Sequence, residues 1–294
     1  MPEWNQITEK LKHEIGIDLI ASSARRVMGG DINDSYCLKT VDGTEYFIKT
    51  NAGEAAFEMF AAEAKALSLV AESNAIRVPK VFFYNRTNRE SYLVLEYLLL
   101  GAQRDEQKFG RQLAAMHSNT HTEFGWHTNN TIGSTIQINT PSVNWCEFWI
   151  DNRLTPQLNL AKANGCDASL LELGQQLIER SPLFFTSHEP QASMLHGDLW
   201  AGNAACLLDG TPVIYDPAFY YGDREVDLAM MELFGGFSAD CFSAYFESAP
   251  IDQHGYAQRK HYYNLYHLLN HFNLFGGGYQ IRCVDVMQRL LAEL

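Results

Sequence analysis

Between Ala24 and Leu98 the apolar positions come in short runs, RRVMGG, SYCLKT, EYFIKT, VPKVFFY and SYLVLEYL, punctuated by Gly-Gly, Asp-Gly and Asn-Arg-Thr-Asn. Runs of this length, bounded by turn formers, predict strands. One interruption, from about Phe57 to Ser73, is rich in Ala, Leu, Glu and Lys and predicts a helix by propensity as well as by pattern. The N-terminal stretch MPEWNQITEKLKHEIG mixes polar and apolar residues in a helical period and lacks the apolar run of a signal peptide. The expected order is therefore a helix, three strands, a second helix and two strands.

From Asp105 onward the period becomes helical, in FGRQLAAMHS, NWCEFWIDNRLTPQLNLAKAN, ASLLELGQQLIERS, EVDLAMMELFG and the long stretch from Tyr256 to Phe275. The break near Gly101 to Arg104 is a candidate hinge, which gives a sheet-rich lobe over 1–100 and a larger helical lobe over 101–294. Within the helical half, AACLL and TPVIY flank Asp209-Gly210, a two-residue hairpin signal. The class expected is α+β with two lobes, and no internal repeat is visible.

Composition narrows the function. The 294 residues, 46% hydrophobic, suffice for a substantial core. A formal net charge of −13 argues against nucleic acid or an anionic membrane as partner. The six cysteines are scattered, with no C-x-x-C pair, as expected of free thiols in a reducing compartment. The longest apolar stretch, Tyr92 to Leu100, contains Glu96 and is too short to span a bilayer. A cytoplasmic protein is expected.

Chemistry concentrates in MLHGDLWAGNAACLLDGTPVIYDPAF, Met194 to Phe219. Asp198 and Asn203 stand in the D-x-x-x-x-N spacing of kinase catalytic loops, where the Asp receives the acceptor's hydroxyl proton and the Asn binds metal. A hairpin turning at Asp209-Gly210 would return Asp216 beside Asn203. An amide and a carboxylate so placed make a hard oxygen site suited to magnesium with a bound triphosphate. In EYFIKT, Lys49 shares a strand face with Phe47. On the next helix Glu63 falls on the apolar stripe with Ala56, Phe60, Leu67 and Val70, where a lone carboxylate is costly. Pairing Lys49 with Glu63 resolves both oddities and presents an ammonium to the α- and β-phosphates. Upstream, VMGGDINDSY places Gly29, Gly30 and Asn33 in a turn that could approach a nucleotide, though G-x-G-x-x-G is absent.

HGDLWAGN, DPAFYYGDREVDLAMMELFGG and WCEFWIDNRLTPQLNLA together resemble the fructosamine/ketosamine kinases, within the aminoglycoside-phosphotransferase-like branch of the protein-kinase-like superfamily. The resemblance runs from VMGGDINDSY to the last long helix. It implies a protein-kinase-like fold and ATP-dependent phosphorylation of the sugar 3-hydroxyl of a ketosamine, after which the unstable product releases its amine. It implies ATP and Mg2+ as cofactors, Asp198 as base, Asn203 and Asp216 as metal ligands, and Lys49 with Glu63 as the phosphate-binding pair. Backbone of Glu96, Tyr97 and Leu98 would meet adenine, and Trp200 would form the platform for the sugar-amine. Partners would be small ketosamines or glycated amines, and glycated proteins. Some relatives carry a cysteine where this chain has Asp31, so no thiol switch is expected there.

Other residues keep two readings open. Trp145 and Trp149, four apart on one helix, fit either core packing or a wall of the substrate pocket. Arg153 could reach toward phosphate or lie along the surface. His196 and Asp227 are expected to support the catalytic loop, and Asp223 to cap a helix. The pairs His117/His121 and His267/His271 lack further ligands and are expected to be ordinary satisfied histidines. Another small-molecule kinase of this branch, acting on an aminoglycoside, choline or an amino alcohol, is the nearest rival. A protein kinase is disfavoured, since ten residues separate Asp216 from Asp227 and leave little room for an activation segment. A pseudokinase is disfavoured because each reactive position is filled.

Overall fold

Amphipathic segments organise the first of two units in this computed structural model, which describes residues 2–27 and 32–294. That unit comprises 1–105 with 205–216, and the second comprises 106–204 with 217–294. The Asp209-Gly210 hairpin, which the sequence places within the helical half, thus groups with the strands.

The first unit opens with α1 (Trp4–Ile15), which ends where Gly16 takes the left-handed conformation that a side chain disfavours. Strands β1 (Arg25–Arg26), β2 (Asp34–Lys39) and β3 (Glu45–Asn51) follow, then α2 (Ala56–Glu72), β4 (Val81–Arg86) and β5 (Ser91–Glu96). The sheet is antiparallel, in the order β1-β2-β3-β5-β4. Strand alternation sorts the two faces. Ile48, Tyr92 and Val94 pack with Trp4, Ile7 and Leu11 of α1, while α2 packs on β4 and β5. Lys49, one residue from Ile48, therefore faces α2. The hairpin strands β10 (Ala204–Cys206) and β11 (Pro212–Ile214) pair with one another, and Val213 bridges Arg77.

The second unit is mainly helical: α3 (Glu106–His117), α4 (Trp145–Trp149), α5 (Thr155–Ala163), α6 (Ala168–Arg180), α7 (Glu225–Leu233), α8 (Ala239–Ser248), α9 (Gln253–Phe275) and α10 (Tyr279–Glu293). It also holds a small sheet of β6 (Thr120–His121), β9 (Ala192–Leu195) and β12 (Tyr220–Gly222), and a hairpin of β7 (Asn130–Ile132) and β8 (Thr135–Gln137). Helix α9 is the axis, packing against α5, α7 and α10. The single helix expected over 144–164 is instead interrupted by a π-helical turn, Ile150–Leu154. Pro156 has no N–H to offer the Asn152 carbonyl, and that oxygen accepts from the Arg153 guanidinium at 2.9 Å instead.

Helices α3 and α8 approach closely at Gly110, where an added Cβ would overlap the Cys241 carbonyl oxygen. Gly110→Ala is expected to cost about 1–3 kcal/mol by overpacking, read as a lowered midpoint in urea at unchanged m-value. No helix among the described residues is long and apolar enough to cross a membrane. None of the six cysteines forms a disulfide.

Candidate active site

In the first unit the buried Lys49 ammonium lies 2.6 Å from Glu63 Oε1 and 2.5 Å from Asp216 Oδ1. Strand β3 carries the lysine, the middle of α2 the glutamate, and the end of the β10–β11 hairpin the aspartate. Burial works against charge on Lys49, but the Asp216 and Glu63 carboxylates more than offset it, and its affinity for the proton rises above the ordinary lysine range. Burial pushes the Glu63 carboxyl upward, and nearby Asp216 adds to that push against the pull of Lys49. Asp216 has φ +59°, a left-handed backbone that few residues other than glycine adopt. Such a conformation persists only where surrounding bonds hold it, and Lys49 supplies one.

In the second unit β9 runs into the loop His196–Asn203. Gly197 has φ +82°, and a Cβ there would overlap the Ala218 carbonyl oxygen, so the loop lies directly against the segment that leads into β12. Asp227 of α7, fully buried, holds the loop from beneath. Its Oδ2 accepts from the His196 amide at 2.7 Å and its Oδ1 from the Gly197 amide at 2.8 Å. His117 Nε2 lies 3.1 Å from the same Oδ2, and His117 Nδ1 lies 2.7 Å from the Tyr245 hydroxyl. The His196 ring turns inward, where Nδ1 accepts from the Asp198 amide at 3.2 Å. Asn203 Nδ2 donates to the Asp198 carbonyl oxygen at 2.9 Å and to its Oδ2 at 3.1 Å. With its nitrogen engaged by Asp198, the oxygen of the Asn203 amide remains as a hard donor for a cation.

Trp200 follows two residues after Asp198 and is 42% exposed. Its indole lies over Gly202, where a Cβ would collide with the ring, so the tight 3-10 turn of Ala201–Asn203 depends on that glycine.

Other expected residues fall elsewhere. Trp145 and Trp149 offer no wall to a ligand: both are buried in an aromatic cluster with Tyr263, and Trp145 Nε1 donates to the Tyr263 hydroxyl at 2.9 Å. The i, i+4 spacing put them on one helix face, and that face looks into the core. Arg153 does not reach toward phosphate. It is fully buried, 4.0 Å over the Tyr220 ring, and donates to the Ile138 carbonyl and to Asn139. Glu96 ends β5 with its amide donating to the Lys80 carbonyl at 2.8 Å and its carboxylate paired to Arg77, which leaves Tyr97 and Leu98 as the segment with backbone groups outside the sheet. Asn33 accepts from Asn51 Nδ2 at 2.8 Å. Gly29, Gly30 and Asp31 lie outside the described residues.

Asp223 accepts from the Glu225 amide at 3.0 Å at the start of α7, and its other oxygen is held by His188 and the Tyr263 hydroxyl, each at 2.6 Å. His188, Asp223 and Glu225 cluster as metal ligands could, but Arg259 grips both Glu225 oxygens, so charge is balanced within the protein. His267 is buried, and burial above all pushes its pKa down to about 3. The inner partners His117 and Tyr245 were not apparent as functional from sequence, where His117 is one of several scattered histidines.

The sheet-plus-helix unit carrying a lysine–glutamate pair and the helical unit carrying an Asp-x-x-x-x-Asn loop define a protein-kinase-like fold. Aminoglycoside phosphotransferases share that fold, as in a gentamicin complex with a TM-score of 0.61 at 14% identity over 98% of this chain and 96% of that one. The profile described as fructosamine kinase matches residues 3–293, and the chain belongs to that family. A probable ketoamine kinase of Synechocystis sp. is 42% identical over 98% of this chain and 97% of its own length. A chloroplastic protein-ribulosamine 3-kinase of Arabidopsis thaliana is 40% identical over 91% of this chain and 82% of its own. Among solved structures, one assigned as a fructosamine-3-kinase from Haemophilus somnus superposes with a TM-score of 0.87 at 27% identity, covering 98% of this chain and 97% of that one.

Proposed function

We propose that this protein is an ATP-dependent kinase that phosphorylates the sugar 3-hydroxyl of ketosamines, the fructosamine- and ribulosamine-type adducts of sugars with amines. The observation that carries the mechanism is the Asp198 loop, held by Asp227 through two backbone amides and by Asn203 at the Asp198 carboxylate. Phosphoryl transfer depends on positioning and charge neutralisation, and a fixed carboxylate is what orients an incoming hydroxyl and accepts its proton.

Lys49, kept charged by its two carboxylates, would meet the α- and β-phosphates, with Glu63 keeping the ammonium aimed. The Asn203 amide oxygen and the Asp216 carboxylate fit Mg2+, which prefers hard oxygen ligands. When bound, the ion would neutralise developing charge on the phosphates. Backbone groups of Tyr97 and Leu98 would receive adenine. Trp200, exposed beside the base, would stack on the acceptor. The phosphorylated adduct is unstable and would release its amine, making the activity a deglycation. Free ketosamines fit such a site, and adducts on flexible protein lysines are proposed as further substrates. A cytoplasmic setting would supply the ATP.

ATP consumption with a panel of small ketosamines, aminoglycosides and choline, combined with locating the phosphate on the product, tests this reading. Turnover confined to ketosamines with phosphate on the 3-hydroxyl is expected. Turnover of only choline or an aminoglycoside would overturn the ketosamine assignment, and failure to bind nucleotide would overturn the kinase.

A further inference from the structure

The segment on which the catalytic loop rests is itself held by a buried polar network that the proposed chemistry does not use. Gln137, the last residue of β8, donates from Nε2 to the Ala218 carbonyl at 2.9 Å and to Asn130 Oδ1 at 2.9 Å. Asn130, opposite it on β7, donates from Nδ2 to the Phe219 carbonyl at 2.8 Å. The Tyr266 hydroxyl of α9 donates to Gln137 Oε1 at 2.8 Å and so fixes which way the amide points. Asn139 Nδ2 donates to Asn130 Oδ1 at 2.8 Å, and Arg153 Nη2 donates to Asn139 Oδ1 at 2.8 Å. Gln137, Asn130, Asn139 and Arg153 are all buried.

An apolar plug of the same volume would fill this space without desolvating so many polar groups. What the amides add is direction: two side chains from one hairpin grip two successive carbonyls. The gripped residues matter because the Ala218 carbonyl lies against Gly197, the residue before Asp198, and because the residue that follows them, Tyr220, pairs with Leu195 at the end of the strand that delivers the loop. The chain returning from Asp216 to Asp227 is short, and these side chains fix it in place.

We propose that Gln137, supported by Asn130, is a positioning residue for the base: by fixing the Ala218 carbonyl it sets where Gly197 and Asp198 stand, and thereby couples ATP consumption to sugar phosphorylation. This rests on Asp198 acting as the base. A carboxylate displaced by a fraction of an ångström orients the sugar hydroxyl poorly, while the nucleotide still binds and can lose its phosphoryl group to water.

The test is Gln137→Met, which keeps length and removes both amide donors. Sugar phosphorylation and ATP hydrolysis without sugar are measured separately, with folded fraction from thermal unfolding. The expected result is a fall of about 10- to 100-fold in kcat for transfer, KM for ATP within about twofold of wild type, and a higher ratio of hydrolysis to transfer. Asn130→Ala and Tyr266→Phe, milder lesions of the same network, should shift the ratio in the same direction by smaller factors. A folded variant with an unchanged ratio overturns the proposal. So does loss of both activities in proportion to the folded fraction, or failure of all three variants to fold, since either outcome assigns the network to stability alone. Absence of ketosamine turnover by the wild type would instead strike the proposed function.

Discussion

Asp198→Asn is expected to lower kcat for ketosamine phosphorylation by about 10²–10⁴-fold, the range associated with removing a general base. The substitution is nearly isosteric and leaves the loop backbone its anchors, because the His196 and Gly197 amides still donate to Asp227 and the Asp198 amide still donates to His196. Nucleotide affinity should therefore stay within about twofold, since Lys49, proposed to meet the phosphates, and Glu63, which holds its ammonium, are untouched. The loss should appear in kcat and kcat/KM together, as it does when an interaction made only in the transition state is removed. Steady-state kinetics with one ketosamine at saturating ATP checks this, and unchanged turnover in the folded variant would remove Asp198 from the mechanism.

The parts of the site that were legible in the sequence were those where chemistry conflicts with its surroundings. Glu63 on an apolar helix face demanded a cation, and the buried strand residue Lys49 provides it at 2.6 Å. Asp198 and Asn203 were legible through spacing, because one loop fixes their separation. The hairpin that carries Asp216 was legible through Asp209-Gly210, where Gly210 stands at φ +81°, but the pairing of Asp216 with Lys49 was not.

What the sequence concealed were the relations in which nothing conflicts locally. The sheet of β6, β9 and β12 is built from strands of two to four residues far apart in the chain, too short for alternation to register. Helix α10 buries only Cys283, Met287 and Leu290, a stripe too narrow to stand out. The helical period that groups Trp145 with Trp149 says that they share a face, and cannot say whether that face meets the core or a ligand. The π-turn at Ile150–Leu154 leaves no mark in the helical period, and Arg153 within it lies buried over Tyr220. Gln137 and Asn130 look like ordinary hairpin polars until the fold brings the Ala218 and Phe219 carbonyls to them.

Asp227→Asn should be the most destabilising of the substitutions considered. Asp227 is an acceptor on every side: the His196 and Gly197 amides and His117 Nε2 all point at its two oxygens. An asparagine must turn an NH2 toward at least one of these donors, leaving it unpaired in a fully buried place. Removing one member of such a buried charged cluster costs about 3–5 kcal/mol, which corresponds to about 10 °C in Tm for a protein of this size. Acid stability supplies an independent check of sign. Burial alone would raise the Asp227 carboxyl, but the hydrogen bond and charge of His117 and the Gly197 amide more than reverse this and hold it below the ordinary aspartate range. A carboxyl depressed in the folded state contributes stability that is fully present above its unfolded pKa of about 3.9 and is lost as pH falls from there through the folded value. Wild-type unfolding free energy should therefore decline through that acid window, and the Asp227→Asn protein, already less stable at neutral pH, should decline less steeply over it. Urea titrations of both proteins at a series of pH values measure the two slopes. Equal slopes would mean that Asp227 carries no linked proton, and the loop would then be held by hydrogen bonds whose strength does not depend on the carboxylate charge.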